Sequence, residues 1–246
     1  MKILICISHV PDTTTKIQFN AEGTELNKAG VTFIINPYDE FAISRALELK
    51  EAGKPIEQIT VLCVGSAEVE ATLRKALSLG VTDAVRIDAE ARDAYYVASQ
   101  IAAYAKEKGF DLIAGGKESI DSNGSAVLGM VAELIDAPYV SFATELDING
   151  SIIKFKREID GGMEVLEAPA PVVFGAQKGM AEWRIPNMKG IAEARRKQIA
   201  VVPPVAAEAL TASVRFELPP AKAGCQYIQP DDMASVVKLL QDKGVL

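Results

Sequence analysis

Residues 115–125 read Gly-Gly-Lys-Glu-Ser-Ile-Asp-Ser-Asn-Gly-Ser and run directly into an apolar segment. Glycine with short hydroxyl and amide side chains at a helix start suits an anion. Open backbone N–H groups and the positive end of the helix dipole together hold phosphate. The same residues equally suit ordinary capping, with Ser122 or Asn123 closing the first helical turn. Stricter phosphate signatures are missing. Gly115-Gly116-Lys117 is followed by Glu118 rather than Ser or Thr, and no Gly-x-Gly-x-x-Gly follows the first apolar run.

Residues 181–197 form a second group, Ala-Glu-Trp-Arg-Ile-Pro-Asn-Met-Lys-Gly-Ile-Ala-Glu-Ala-Arg-Arg-Lys. Met188 precedes a short basic helix carrying Arg195 and Arg196. An unbranched thioether repacks cheaply, which suits a contact with several surfaces. The alternative is a solvated basic turn with Met188 tucked into its own domain. Cys6, Cys63 and Cys225 lack CxxC spacing, and His9 is the single histidine. The usual metal-ligand sets therefore cannot be assembled, and reduced thiols are expected. No Ser-His-Asp, Cys-His or paired-carboxylate arrangement marks a catalytic residue, and a lone His9 at a strand end reads as structural.

These residues need elements to position them. Residues 2–8 read as a strand buried on both faces, and residues 38–53 as a helix with Pro37 ahead of it and Gly53 as its stop. Its apolar stripe is Ala42, Ile43, Ala46, Leu47 and Leu49. Residues 58–64 form the next strand. Ser66 is expected to cap a helix over 67–79, with Gly80 as terminator. A strand over 84–87, a helix over 93–109, a strand over 111–115 and a helix over 125–135 follow. This alternation implies a mainly parallel sheet covered on both faces, with ligands bound outside the carboxyl ends of its strands.

After Pro138 the pattern becomes antiparallel, with strands over 139–146, 151–159 and 163–166. Asn149-Gly150 and Asp160-Gly161-Gly162 supply the turns. Pro171-Val172-Val173-Phe174 reads as one more buried strand. Beyond residue 177, Trp183, Pro186, Pro203, Pro204, Pro219 and Pro220 mark an extended arm that ends in an amphipathic helix over 231–243. The expected division is an α/β domain over 1–176 and a loop-and-arm region over 177–246 that packs on a partner subunit. A tail wrapped on its own domain is the alternative.

With 246 residues, 49% of them hydrophobic, the chain can bury a substantial core. The net charge of −7 argues against nucleic acid or an anionic membrane as the main partner. The first apolar run is too short for a signal core, and nothing approaches a transmembrane span. A soluble, cytoplasmic protein is expected.

The hairpin carries one further signal. Lys156-Arg157-Glu158-Ile159-Asp160-Gly161-Gly162-Met163-Glu164-Val165-Leu166, followed by Pro171, resembles the signature segment of electron transfer flavoprotein β subunits. There Arg-Glu-Ile-Asp-Gly-Gly precedes an apolar residue, Glu and a spaced Pro. The resemblance runs from Met1 to Leu246. It implies a three-layer, Rossmann-like α/β fold of the adenine-nucleotide-binding type, with an antiparallel hairpin and an extended C-terminal arm.

The resemblance also implies an electron carrier rather than an enzyme. Its heterodimeric α subunit would hold most of the FAD, and this chain would hold a structural AMP. Electrons would pass from acyl-CoA or related dehydrogenases to a quinone-linked oxidoreductase, as in fatty acid β-oxidation. Carried over by position, the AMP site comprises Cys6, Asn36, Val61, Val64 and the phosphate loop over 121–132. In that loop the candidates are Asp121, Ser122, Asn123, Gly124, Ser125, Ala126, Val127 and Gly129. Many members carry Gln, then Gly two residues later, where this chain has Ala126 and Leu128. Asn36 suits a ribose or base edge, or the cap of the helix at Tyr38. Met188 stands where a leucine commonly anchors dehydrogenase docking, with Arg195 and Arg196 keeping the positive character and Glu193 replacing a lysine. Thr13 stands where some members bring an aromatic residue near the flavin. Two alternatives stay open: an electron-bifurcating β subunit with a second FAD in place of AMP, and a universal-stress-type nucleotide sensor working as a homodimer.

Overall fold

The computed structural model describes residues 1–150, 152–222 and 224–246. β1 (Lys2–Cys6) leads into an antiparallel flap of β2 (His9–Pro11) and β3 (Phe33–Ile35), then α1 (Pro37–Glu51) and β4 (Gln58–Val64). A 3-10 turn, Ala67–Val69, opens α2 (Glu70–Ser78), and β5 (Asp83–Ile87), α3 (Ala94–Lys108), β6 (Leu112–Gly116) and α4 (Val127–Ile135) follow. β7 (Tyr139–Asn149), β8 (Ile152–Ile159) and β9 (Gly162–Pro169) form a meander. β10 (Val172–Ala176), α5 (Met188–Arg196), β11 (Ile199–Val202) and α6 (Met233–Asp242) complete the order.

Among the described residues the main sheet has nine strands in the order β11-β5-β4-β1-β6-β10-β7-β8-β9. Pairing is parallel from β11 through β7 and antiparallel in the β7–β8–β9 meander. The central strands are continuous apolar runs because both their faces are covered. Alternate side chains serve two cores: Ile3 and Ile5 join the one built on α1 and α2, whereas Leu4 and Cys6 join the one built on α3 and α4. Each fully buried Leu or Ile contributes about 1.5–3 kcal/mol. The expected three-layer α/β fold is therefore the observed one.

Several details differ from expectation. Ser66 makes no side-chain cap, and the helix after it begins as a 3-10 turn. At the hairpin only Gly161 takes a left-handed conformation (φ 85°), while Gly162 already pairs with Ile159 in the ladder. Of the strand expected over 151–159, Ser151 lies outside the described residues. Residues 199–202, expected within an irregular arm, instead add β11 alongside β5. Beyond them the described residues are largely exposed, and α6 buries none of its residues.

Candidate functional site

The strand order reverses at β1, which lies between β4 and β6, and the carboxyl ends of these strands bound a cleft of about 840 Å³. The N-terminus of α4, residues 90–93 ahead of α3, and the flap with His9 and Phe33 close its sides. Val64, Val97, Ile101 and Leu128 give it an apolar floor, whereas residues 115–119, 121–122 and 124–126 give it a polar end.

That polar end is built from backbone. Asn123 (φ 50°) and Ser125 (φ 48°) are left-handed, and Ala126 follows as the N-cap of α4 in a right-handed conformation. Alternation of this kind turns successive N–H groups towards one concavity. Neither Ser122 nor Asn123 caps the helix, because the N-cap is Ala126 and no side chain caps it. The first-turn N–H groups thus have no capping side chain as acceptor, and the dipole of α4 favours an anion there.

A single carboxylate braces the walls. Asp39, fully buried in the first turn of α1, accepts from Ser8 N–H at 2.7 Å, Gly116 N–H at 2.6 Å and Asn36 Nδ2 at 3.0 Å. It therefore ties α1 to the ends of β1 and β6. Burial pushes its carboxyl up to about 7; the three hydrogen bonds oppose the rise and the charge of Asp121 adds to it. Gly116 permits this approach, since a Cβ there would stand 2.4 Å from Tyr38 Cβ and 2.7 Å from Asp39 Oδ1.

The expected site residues divide into three groups. Cys6, Val64, Asp121, Ser122, Gly124, Ser125, Ala126 and Val127 line the cleft. Asn36 lies behind it: its amide donates to Glu118 O at 2.8 Å and accepts from Ile120 N–H at 3.2 Å, so it holds the loop in place. Nor does its side chain cap α1. Val61 faces the α1–α2 core, Asn123 supplies backbone curvature, and Gly129 packs near Tyr139. Cys6 and Cys63 are buried thiols, with burial raising both, Cys63 up to about 12.

Sequence reasoning did not single out Asp39, Arg92 or Asp93 as site residues, and it read Lys117 only as part of the loop. Lys117 Nζ lies 4.9 Å from the Tyr38 ring centre and 5.5 Å from that of Phe142, a left-handed residue (φ 52°) at the bulge of β7. His9 stacks on Phe33 at 4.4 Å, and its Nδ1 lies 2.7 Å from Thr72 Oγ1. Burial lowers its pKa, which matches a ring held by packing.

The second candidate region packs on α2 and is tied to the end of α1. Asn187 caps α5 by accepting from Gly190 N–H at 2.8 Å, and Gly190 lies against Ser78 O so closely that a Cβ would stand 2.3 Å from it. Arg74 Nη1 donates to Ala194 O at 2.6 Å, which fixes the helix to α2. Met188 is 82% exposed, so it is not tucked into the domain. Trp183 and Ile185 are exposed beside it in sequence, and Arg184 holds this loop to α1 through a two-pronged pair with Glu51 at 2.7 and 2.6 Å. Arg195 and Arg196 are exposed in the last turn of α5.

Among the described residues no helix is long and apolar enough to cross a membrane, and no cluster of potential metal ligands occurs. Residues 24–207 match the family described as electron transfer flavoprotein domain. The electron transfer flavoprotein subunit beta of Syntrophomonas wolfei is 34% identical over 242 residues, covering 98% of this chain and 95% of that protein. The protein of the same name from Bacillus subtilis is 36% identical over 203 residues, covering 81% and 77%. Its Homo sapiens namesake is 30% identical over 248 residues, covering 97% of each. With its fold, its hairpin and matches of this extent, the chain belongs to the electron transfer flavoprotein β-subunit family.

Proposed function

We propose that this chain is the β subunit of a heterodimeric, cytoplasmic electron carrier whose α subunit holds most of the FAD, and that its own cleft holds AMP. The observation that carries the AMP reading is the convergence of left-handed Asn123 and Ser125 with the uncapped start of α4 at the polar end of an apolar cleft. Phosphate would meet the backbone N–H groups of residues 125–128, and the adenine would lie against the apolar floor. Cys6 and Val64 would contact the nucleoside, while Asp39 and Asn36 fix the walls and loop. No residue of this chain is needed as a general acid or base, because bound FAD takes up and releases the electrons itself. The chain would instead position the FAD-bearing subunit and exclude water.

The exposed run of Trp183, Ile185 and Met188, with Arg195 and Arg196, would dock acyl-CoA or related dehydrogenases, and a quinone-linked oxidoreductase would take the electrons onward. The region after residue 176 would thus serve partners while the preceding domain serves the nucleotide.

The length of the cleft favours a second reading. Its lining continues past the phosphate loop to Lys28, His9 and Phe33, room that suits a second FAD in an electron-bifurcating subunit. Chromatography of the cofactors released from the co-purified heterodimer separates the two readings. One FAD and one AMP per heterodimer supports the ordinary carrier; two FAD and no AMP supports the bifurcating one. A homodimer carrying ATP and no flavin would overturn both.

A further inference from the structure

Within residues 205–216, Thr211, Ala212 and Ser213 form part of the lining of the cleft. This segment is fastened at three points. At one end, Val205 and the buried side chain of Gln100 exchange hydrogen bonds, with Val205 N–H donating at 2.7 Å and Gln100 Nε2 donating to Val205 O at 3.0 Å. At the other, Phe216 stacks on Phe19 at 5.2 Å and its N–H donates to Gly23 O at 2.6 Å.

The central fastening is Asp93. Its Oδ1 caps α3 by accepting from Tyr96 N–H at 2.8 Å. Its Oδ2 accepts from Leu210 N–H at 2.7 Å, Thr211 N–H at 2.8 Å and Thr211 Oγ1 at 3.2 Å. A single carboxylate thus joins one wall of the cleft to this segment. Little apolar burial assists it, since Leu210 and Val214 are exposed.

We propose that residues 205–216 are a strap that retains the adenylate in the cleft, and that Asp93 is the positioning residue that latches it. The proposal rests on the reading of the cleft as a nucleotide site. Thr211 lines the same cleft as residues 124–128, so opening of the strap removes one of the walls that would hold a ligand there, and the rate of release would follow it. The described residues from Leu218 onward are largely exposed, so a partner that grips the arm also holds the strap closed.

Asp93→Asn tests the latch with little change of shape. Asparagine caps helices as well as aspartate. Its amide keeps one oxygen and puts an NH2, which can only donate, in place of the other, so it cannot accept from Tyr96 on one side and the strap on the other. Phe216→Ala loosens the far end without touching α3 or the cleft lining. Dissociation of radiolabelled AMP, and separately of FAD, is measured from the full-length chain, with hydrogen exchange at Leu210 and Thr211 followed in parallel. Loss of charge-assisted hydrogen bonds predicts release roughly tenfold faster in Asp93→Asn. Phe216→Ala should also release faster, with association changed little and faster exchange in both variants. Release at the wild-type rate in both variants overturns the strap while leaving the nucleotide site standing. A wild-type chain that binds neither AMP nor FAD overturns the nucleotide reading, and the strap with it.

Discussion

Asp39 shows how one residue's environment sets a testable property. Its folded pKa, about 7, lies above the ordinary 3.8. Stability from this group is therefore complete below about pH 4 and is lost as pH rises through about 7. The groups facing it are Asp121 in the loop and the Cys6 and Cys63 thiols; burial raises both thiols, so they stay protonated through this range. Urea midpoints between pH 5 and 8 should fall further in wild type than in Asp39→Asn. That variant should also cost about 1–3 kcal/mol at pH 5, because its amide cannot accept from both Ser8 and Gly116. In sequence, Asp39 reads as an acidic residue placed well for the α1 dipole. Only folding reveals that the ends of two strands converge on it. Met188 is different, because its type and setting already suggested a contact. Met188→Ala should weaken docking by about 1–2 kcal/mol while leaving flavin content unchanged. Stopped-flow transfer from several dehydrogenases would measure it, and unchanged kinetics across all of them would remove the loop's assignment.

At the scale of elements, the glycines of the phosphate loop separate into required and tolerant positions. Gly116→Ala would press into Tyr38 and Asp39, whereas a Cβ on Gly124 meets only Ser122 Oγ at 3.7 Å. Thermal melts should show Gly116→Ala less stable by about 1–3 kcal/mol, and Gly124→Ala close to wild type. The alternation of strands and helices was legible because strands buried on both faces leave unbroken apolar runs, as in β1, β4 and β6. β11 was not, since Ile199–Val202 is short, half exposed and flanked by charge on one side and proline on the other. Ser66 illustrates the opposite error: its type suited a cap, but the chain enters α2 through a 3-10 turn and leaves the hydroxyl unused.

On the scale of the whole molecule, the chain is dense at one end and sparse at the other. The two cores draw chiefly on residues before 181, whereas the exposed large apolar side chains include Leu210, Val214, Leu218, Tyr227, Met233 and Val237. A chain ending at residue 230 keeps the strap but lacks α6, and its melting temperature should match that of the full chain. Its affinity for the α subunit should fall, as measured by sedimentation or calorimetry. A full-length melting temperature clearly above that of the shortened chain would mean that α6 serves this subunit's own core. The prolines and fading periodicity made the arm visible in sequence. Its place in the lining of the cleft was not, because a hydrogen bond between residues 93 and 211 leaves no periodic trace.

The position of β10 has a consequence for the order in which the protein forms. β6 and β7 share no ladder in the nine-stranded sheet; each pairs instead with β10, which lies between them and is synthesised after both. As the chain leaves the ribosome, β1, β4, β5 and β6 can associate, and the β7–β9 meander can close on local turns. The two blocks remain separate until Val172–Ala176 emerges and zips them together, so an exposed β6 edge is the aggregation hazard of the nascent chain.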